Sequence, residues 1–243
     1  MAARAGLPVG IDEALGTDLA RCALTVARRF AAGATMWCLA PAWPEHARHL
    51  AVEFVHPVIV GTRALPAVSV EGADPVSDLR PLARSGDLLV ALGPALGGGV
   101  NAALRRAQAW GLTTVWIGSG PPADPGAADH VLWLDDPAGP APHDGRIVLL
   151  YHVLWELTHV CFEHPGLLTA PADECTDDGS CLTCSDEGRL GEVVSAPSES
   201  DAVVRTARGA ETIDTTLVGP RRSGDLVLIH AGAAFAVLEG ADA

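Results

Sequence analysis

The sequence Gly86-Asp-Leu-Leu-Val-Ala-Leu-Gly93 carries a short apolar run between an acidic residue and a glycine, and it predicts a buried strand over Asp87–Leu92. The apolar residues are continuous, which is typical of a strand in a parallel sheet that is covered on both faces. Similar short segments lie on either side of it along the chain. The other predicted strands are Thr35–Leu39, Ala67–Val70, Thr113–Ile117 and His130–Leu134.

Helical patterns separate these strands. Apolar residues recur at helical spacing over Asp12–Ala32, with Asp12 as the N-cap and Gly33 just past the end. Three more helices are predicted at Trp43–Val55, Val100–Trp110 and about Asp144–Glu163. Because helices and strands alternate, we predict an α/β fold in which a parallel sheet is flanked by helices.

The composition of the chain changes near residue 169. Residues 1–168 hold 11 Arg and 16 acidic residues, whereas residues 169–243 hold 5 Arg and 14 acidic residues. Residues 169–180 are mostly small, acidic or turn-forming, which is the composition of a linker. The sequence therefore predicts a domain at 1–168, a linker at 169–180 and a second domain at 181–243.

The second domain contains five short segments with no helical pattern between them. Closing such strands into a barrel removes their exposed edges, so we predict a small all-β, OB-like barrel. The five segments are Gly188–Val194, Ala202–Thr206, Glu211–Thr215, Asp225–His230 and Ala233–Leu238.

The charge of the chain excludes several classes of function. All 16 basic residues are Arg, and the formal net charge is −14. Without Lys, the chain cannot be a Walker NTPase or a lysine-dependent aldolase. Because the longest basic runs are Arg pairs in an acidic chain, nucleic-acid binding is not expected.

No apolar run is long enough to span a membrane, and the N-terminus lacks the layout of a signal peptide. We therefore expect a cytoplasmic protein whose cysteines are reduced. The six cysteines are Cys22, Cys38, Cys161, Cys175, Cys181 and Cys184. The last three lie within ten residues of one another, which marks that segment for attention.

The second domain resembles a known family through Cys181-Leu-Thr-Cys-Ser-Asp186 and Gly224-Asp-Leu-Val-Leu-Ile-His-Ala-Gly232. Both motifs are similar to the small HypC/HupF chaperones of [NiFe]-hydrogenase maturation, over about 181–243. The resemblance implies that Cys181 and His230 hold or hand over the iron centre, with Cys184 as an additional cysteine. The iron would be a transient Fe(CN)2CO unit.

The chemistry of these residues suits that role, because a thiolate is a soft iron donor and an imidazole can be a second ligand. Two alternatives remain for Cys181 and Cys184. A structural zinc site needs four ligands, and Cys175 is the one further cysteine within easy reach. A thioredoxin-like role needs the cysteine pair to open a helix after a strand, a context that the sequence does not predict. For His230, the alternative is a strand-end side chain that is hydrogen-bonded to a loop.

The first domain is similar to sugar isomerase (SIS) domains of the phosphoheptose isomerase type. The resemblance is diffuse and spans residues 1–168. Its main stretches are Ala47-Arg-His-Leu-Ala-Val-Glu-Phe-Val55, Leu65-Pro-Ala-Val-Ser69, Gly86–Gly93 and His152-Val-Leu-Trp-Glu-Leu157. The resemblance implies a parallel α/β sheet and assembly as a homodimer or homotetramer.

Two loops depart from that family. In the family, hydroxyl side chains and helix-start amides cradle the sugar phosphate. Here the loops are Ala40-Pro-Ala-Trp-Pro44 and Gly93-Pro-Ala-Leu-Gly-Gly-Gly99, and neither contains a hydroxyl side chain. The two prolines of the first loop also remove backbone donors. The sequence therefore argues against phosphosugar binding.

The family's metal-binding and acid/base positions fall on His49, Glu53, Asp144 and His152. His49 and Glu53 are four residues apart on a predicted helix and so share one face. In an isomerase, Glu53 would be the base and His152 its acid partner, and zinc is the candidate metal. The alternative is that His49 and Glu53 form an ordinary surface pair and that His152 lies half-buried in a subunit interface.

The sequence thus supports two hypotheses. The first is a hydrogenase accessory protein that carries a HypC-like chaperone domain on an oligomerising SIS domain. Its expected partners are the iron–sulfur maturation protein (HypD-like) and the precursor of the hydrogenase large subunit. The second is an enzyme, a sugar-phosphate isomerase of the phosphoheptose type or a carbohydrate-derivative-binding protein, with the barrel as a regulatory part.

Overall fold

A computed structural model describes residues 12–59, 61–95, 98–121, 123–124, 126–135, 145–169 and 188–240 of the chain. The contacts among these residues define two units. The first contains the described residues of 12–104 and 113–169, and the second contains residues 105–112 and 188–240. Among the described residues, no helix combines the length and apolarity that a membrane span requires.

The first unit is built on a five-stranded sheet in the order β2-β1-β3-β4-β5, in which all paired strands are parallel. This confirms the predicted α/β fold with a helix-flanked parallel sheet. The strands are β1 (Met36–Leu39), β2 (Ala67–Val70), β3 (Leu88–Leu92), β4 (Thr113–Ser119) and β5 (His130–Leu134). The helices are α1 (Glu13–Ala31), α2 (Pro44–Val55), α3 (Pro75–Leu79), α4 (Gly98–Ala109) and α5 (Gly145–Glu163), followed by a 3-10 turn at Pro165–Leu167.

Asp87 aligns the middle of this sheet. One oxygen of its carboxylate accepts from the backbone N–H of Thr35 at 2.9 Å, and the other accepts from Trp37 Nε1 at 3.1 Å and from the backbone N–H of Arg84 at 2.9 Å. Gly86, just before it, has φ +93°, a conformation that glycine adopts without strain. The Gly-Asp pair therefore fixes the start of β3 beside the start of β1.

Helices α1, α2 and α5 share one apolar core with the strands. Val26 and Phe30 of α1, Phe54 of α2 and Leu150 of α5 all belong to this buried cluster. The start of α1 is capped as predicted, since the Asp12 side chain accepts from the backbone N–H of Leu15 at 2.8 Å. Sharing one core brings α2 and α5 side by side, and this arrangement positions the candidate site.

The second unit is a closed barrel of five strands in the order β10-β8-β7-β6-β9. Its pairs are antiparallel except for β8 with β10, which is parallel. The strands are β6 (Arg189–Ser195), β7 (Asp201–Thr206), β8 (Gly209–Asp214), β9 (Leu226–His230) and β10 (Ala233–Glu239). The ends of each strand lie within two residues of those of the predicted segment, so the five predicted strands are confirmed.

Residues 105–112, the end of α4 and the turn after it, belong to the barrel unit. Trp110 Nε1 donates to Glu192 Oε2 at 2.8 Å, and the guanidinium of Arg205 lies over the Trp110 ring at 4.7 Å from its centroid. Arg106 pairs with Glu239. No pattern in the sequence predicts that the end of α4 belongs to the barrel unit. The division at 168 and 181 stays a prediction, because residues 170–187 lie outside the described part of the chain.

Candidate functional site

Three of the four predicted metal-binding residues meet in the first unit. His49 Nε2 lies 3.1 Å from Glu53 Oε1, and His152 Nε2 lies 3.8 Å from the same oxygen. The two imidazole nitrogens are 3.4 Å apart. Three donor atoms within 4.8 Å of one another are close enough to bind one metal ion together.

The helices explain why these side chains converge. His49 and Glu53 are one helical turn apart on α2, and His152 lies on α5. The inner faces of both helices are buried in the shared core through Leu50 and Leu154. The three polar side chains flank that contact and form a rim, where His49 and His152 are each 42% exposed and Glu53 is 16% exposed.

The buried side chain of Tyr151 contacts a histidine of this rim. Its hydroxyl lies 2.8 Å from His49 Nδ1 and 3.5 Å from His46 Nδ1. Burial and the nearby charge of Glu53 raise the pKa of Tyr151 to about 12, so the hydroxyl keeps its proton at physiological pH. No pattern in the sequence distinguishes this role from simple burial.

The donor set has the chemistry of a zinc site. Two imidazoles and one carboxylate are a known protein ligand set for catalytic zinc, which leaves a fourth position for water or substrate. The contact of His49 Nδ1 with Tyr151 also fits, because metal-binding histidines usually hold their second nitrogen in a hydrogen bond. The fourth predicted ligand, Asp144, lies outside the described residues.

A pocket of about 520 Å³ opens beside His49. It lies between the start of α2 and the face of α5, close to the three-residue cluster. Most of the described lining residues are apolar or aromatic. They are Ala42, Trp43, Pro44, Glu45, His46, His49, Val148 and Tyr151.

In the second unit, His230 ends β9 and precedes the turn to β10. Ala231 has φ +48° and Gly232 has φ +83°, as a tight two-residue hairpin requires. The His230 ring packs edge-on against Phe235, with centroids 6.2 Å apart. Cys175, Cys181 and Cys184 lie outside the described residues, so the predicted iron site at Cys181, Cys184 and His230 stays a prediction.

Comparison with known proteins supports the fold of the first unit. The chain is similar to a phosphoheptose isomerase structure from Francisella tularensis, with 14% identity and a TM-score of 0.53, over 61% of this chain and 88% of that one. A phosphoheptose isomerase from Neisseria gonorrhoeae gives 16% identity and a TM-score of 0.48, over 61% of this chain and 89% of that one. At such low identity, the likeness establishes a phosphoheptose isomerase-like fold and no more.

No family model matches the chain, and no curated protein sequence matches it. The resemblance of residues 181–243 to the HypC/HupF chaperones therefore rests on the sequence motifs alone.

Proposed function

We propose that the first unit is a metal-assisted aldose–ketose isomerase that acts on a carbohydrate derivative. The observation that carries the proposal is the convergence of His49, Glu53 and His152 at one rim, with donor atoms 3.1 to 3.8 Å apart. The phosphoheptose isomerase-like fold supports the same activity. These three residues would hold the divalent metal, which when bound supplies a positive charge that polarises a carbonyl group.

The chain's own residues would move the protons. Because Oε1 of Glu53 and Nε2 of His152 would face the metal, the proton transfers would use their other atoms. Glu53 would take a proton through Oε2 from the carbon next to the substrate carbonyl, and His152 would donate its Nδ1 proton to the carbonyl oxygen. The product of this step is an enediol, and the reverse transfers to the neighbouring carbon and oxygen complete the isomerisation. Glu53 and His152 lie side by side at the rim, so the two groups can serve adjacent atoms of one substrate.

The test combines metal content with proton exchange. The purified full chain is expected to bind about one zinc per first unit, and to catalyse deuterium incorporation from heavy water into the carbon next to the carbonyl of an aldose or ketose. Phosphorylated and unphosphorylated heptoses and hexoses serve as substrates. Glu53→Gln should abolish exchange, whereas Glu156→Gln, an exposed position on α5, should not. Equal exchange by wild type and Glu53→Gln would refute the proposal.

A second candidate function belongs to the barrel, as a HypC-like chaperone in hydrogenase maturation. The closed five-stranded barrel and the position of His230 at the β9–β10 hairpin favour it. Its strand order, with one parallel pair between β8 and β10, is compatible with an OB-like barrel. Cys181 and His230, with Cys184 nearby in sequence, would carry the Fe(CN)2CO unit. The partners would be a HypD-like iron–sulfur protein and the large-subunit precursor, with the first unit forming a homodimer or homotetramer.

This second function is tested by copurification. Tagged full chain, coexpressed with the hydrogenase maturation proteins, should retain iron and the iron–sulfur partner. Cys181→Ala and His230→Ala should lose both while the oligomeric state stays the same, and Cys175→Ala is the matched control. If Cys181→Ala retains iron and partner at wild-type levels, the chaperone hypothesis is wrong.

A further inference from the structure

The pocket beside His49 has a wall of aromatic and apolar groups. The rings of Trp43 and His46 are 5.9 Å apart, and those of His46 and Tyr151 are also 5.9 Å apart, both edge-on. Val148 of α5 and Pro44 of α2 add aliphatic surface. A wall of this kind gains binding free energy by removing apolar ligand surface from water.

The same pocket offers little to a phosphate group. The described lining residues include one carboxylate, Glu45, which repels anions. None of these described residues is an Arg. Arg48 follows on the same helix, but its guanidinium bonds Glu71 at 2.7 Å through each of two nitrogens and Glu45 at 3.0 Å. The two carboxylates together carry more negative charge than Arg48 carries positive charge. The three side chains therefore offer no net attraction to an anionic ligand.

The start of α2 also offers an anion fewer free amides than most helix starts do. Pro44 has no N–H. The backbone N–H of Trp43 donates to Ala40 O at 3.0 Å, and that of His46 donates to Trp43 O at 2.9 Å. These amides are therefore already used within the turn, and the usual anion site at a helix start is largely lost here.

From these three observations we infer that the pocket takes an uncharged carbohydrate derivative with an apolar substituent, not a sugar phosphate. The substituent lies against Ala42, Pro44 and Val148, and the polar end of the ligand faces His49. The inference rests on the proposed function in one respect, the carbohydrate end of the ligand that faces His49. Whether the other end of the ligand is apolar or anionic depends on the pocket walls alone.

The experiment measures ligand binding by saturation-transfer NMR to the full chain, with and without zinc. The probes are phenyl β-glucoside, methyl β-glucoside, glucose 6-phosphate and inorganic phosphate. We expect phenyl β-glucoside to bind at least about tenfold more tightly than methyl β-glucoside, with no detectable binding of phosphate. Val148→Asp should remove this preference, and Val160→Asp, at an exposed position on the same helix, should keep it.

Val148 packs partly against the core, so Ala42→Glu, at an exposed position of the pocket rim, provides a second variant that should also remove the preference. Equal binding of the two glucosides, or tighter binding of glucose 6-phosphate, would overturn the inference even if zinc binds. If zinc does not bind but the phenyl preference persists in metal-free protein, the inference stands and the metal-assisted function fails.

Discussion

The hydroxyl of Tyr151 lies 2.8 Å from Nδ1 of His49. This contact leaves Nε2 of His49 facing Glu53 and His152, which is the orientation that a shared metal ion requires. Because the pKa of Tyr151 is raised to about 12, its hydroxyl can donate to His49 across the whole physiological pH range. Tyr151 is thus a positioning residue for the candidate metal site.

Replacing Tyr151 with Phe keeps the buried ring and removes this hydrogen bond. Outer-shell partners of metal-binding histidines typically contribute about 10- to 100-fold in metal affinity. We expect zinc affinity, measured by competition with a chromophoric chelator, to fall by that factor in Tyr151→Phe. An unchanged affinity in a variant that keeps its fold would show that Tyr151 serves packing alone.

The barrel unit contains a buried ionic contact in which neither partner can be lost without cost. Arg106 and Glu192 are 6% and 2% exposed, and Arg106 also pairs with Glu239. Removing one partner of a buried pair leaves the other charge uncompensated. We expect Arg106→Met to lower the free energy of unfolding by about 3–5 kcal/mol in urea denaturation.

The control is Arg105→Met, because Arg105 is half exposed in its pair with Glu239. Its loss should lower the free energy of unfolding by about 0–1 kcal/mol. The double variant Arg106→Met/Glu192→Met should recover part of the lost stability, because it removes the charge of Glu192 but leaves Trp110 Nε1 without its acceptor. Similar unfolding free energies for the two single variants would contradict this account.

Acid should weaken the barrel through Glu211. The hydrogen bond from Arg189 lowers the pKa of Glu211 from its ordinary value near 4.5. A carboxylate with a lowered folded-state pKa stabilises the fold above its ordinary pKa, and this stabilisation is lost as the pH falls through the lowered value. We expect Glu211→Gln to lose less unfolding free energy than wild type between about pH 6 and 3. Glu199→Gln, exposed in the β6–β7 loop, should behave as wild type.

Two cysteines of the first unit should be chemically inert in the native protein. Cys22 and Cys38 are completely buried, and burial raises the pKa of each thiol. Because the thiolate is the reactive form, iodoacetamide at pH 8 should label both at least about 100-fold more slowly than in the urea-unfolded chain. Mass spectrometry of the tryptic peptides measures the rates, and rapid native labelling of either residue would contradict the buried placement.

The sequence was sufficient to predict the five sheet strands, the five barrel strands and the long helices, because their signals are local. The strand after Asp87 is a continuous apolar run, and α1 begins at an Asp cap that the structure confirms. In the barrel, strand β7 shows buried residues at every second position, as a strand with one buried face should. The short helix α3 at Pro75–Leu79 was missed, because five residues are too few to show a helical period.

The candidate site was only partly predictable. His49 and Glu53 are one turn apart, so their shared helical face follows from spacing alone. That His152 joins them was expected from a family resemblance, and in the structure it lies beside His49, 103 residues away in sequence. The hydrogen bond of Tyr151 and the pocket beside Trp43 required the packing of α2 against α5, which no local pattern encodes.

The sequence by itself determined the α/β sheet, the five-stranded second unit, the absence of lysine chemistry and the lack of hydroxyl groups in the loops after β1 and β3. These depend on composition and on short periodic patterns. The tertiary structure alone decided which polar groups converge at the rim, that Arg48 is held by Glu45 and Glu71, and that residues 105–112 complete the barrel unit. The physical reason is that contacts between distant segments depend on how the buried faces of helices and strands pack together. Many different packings are compatible with the same local pattern of apolar residues, so that pattern does not determine these contacts.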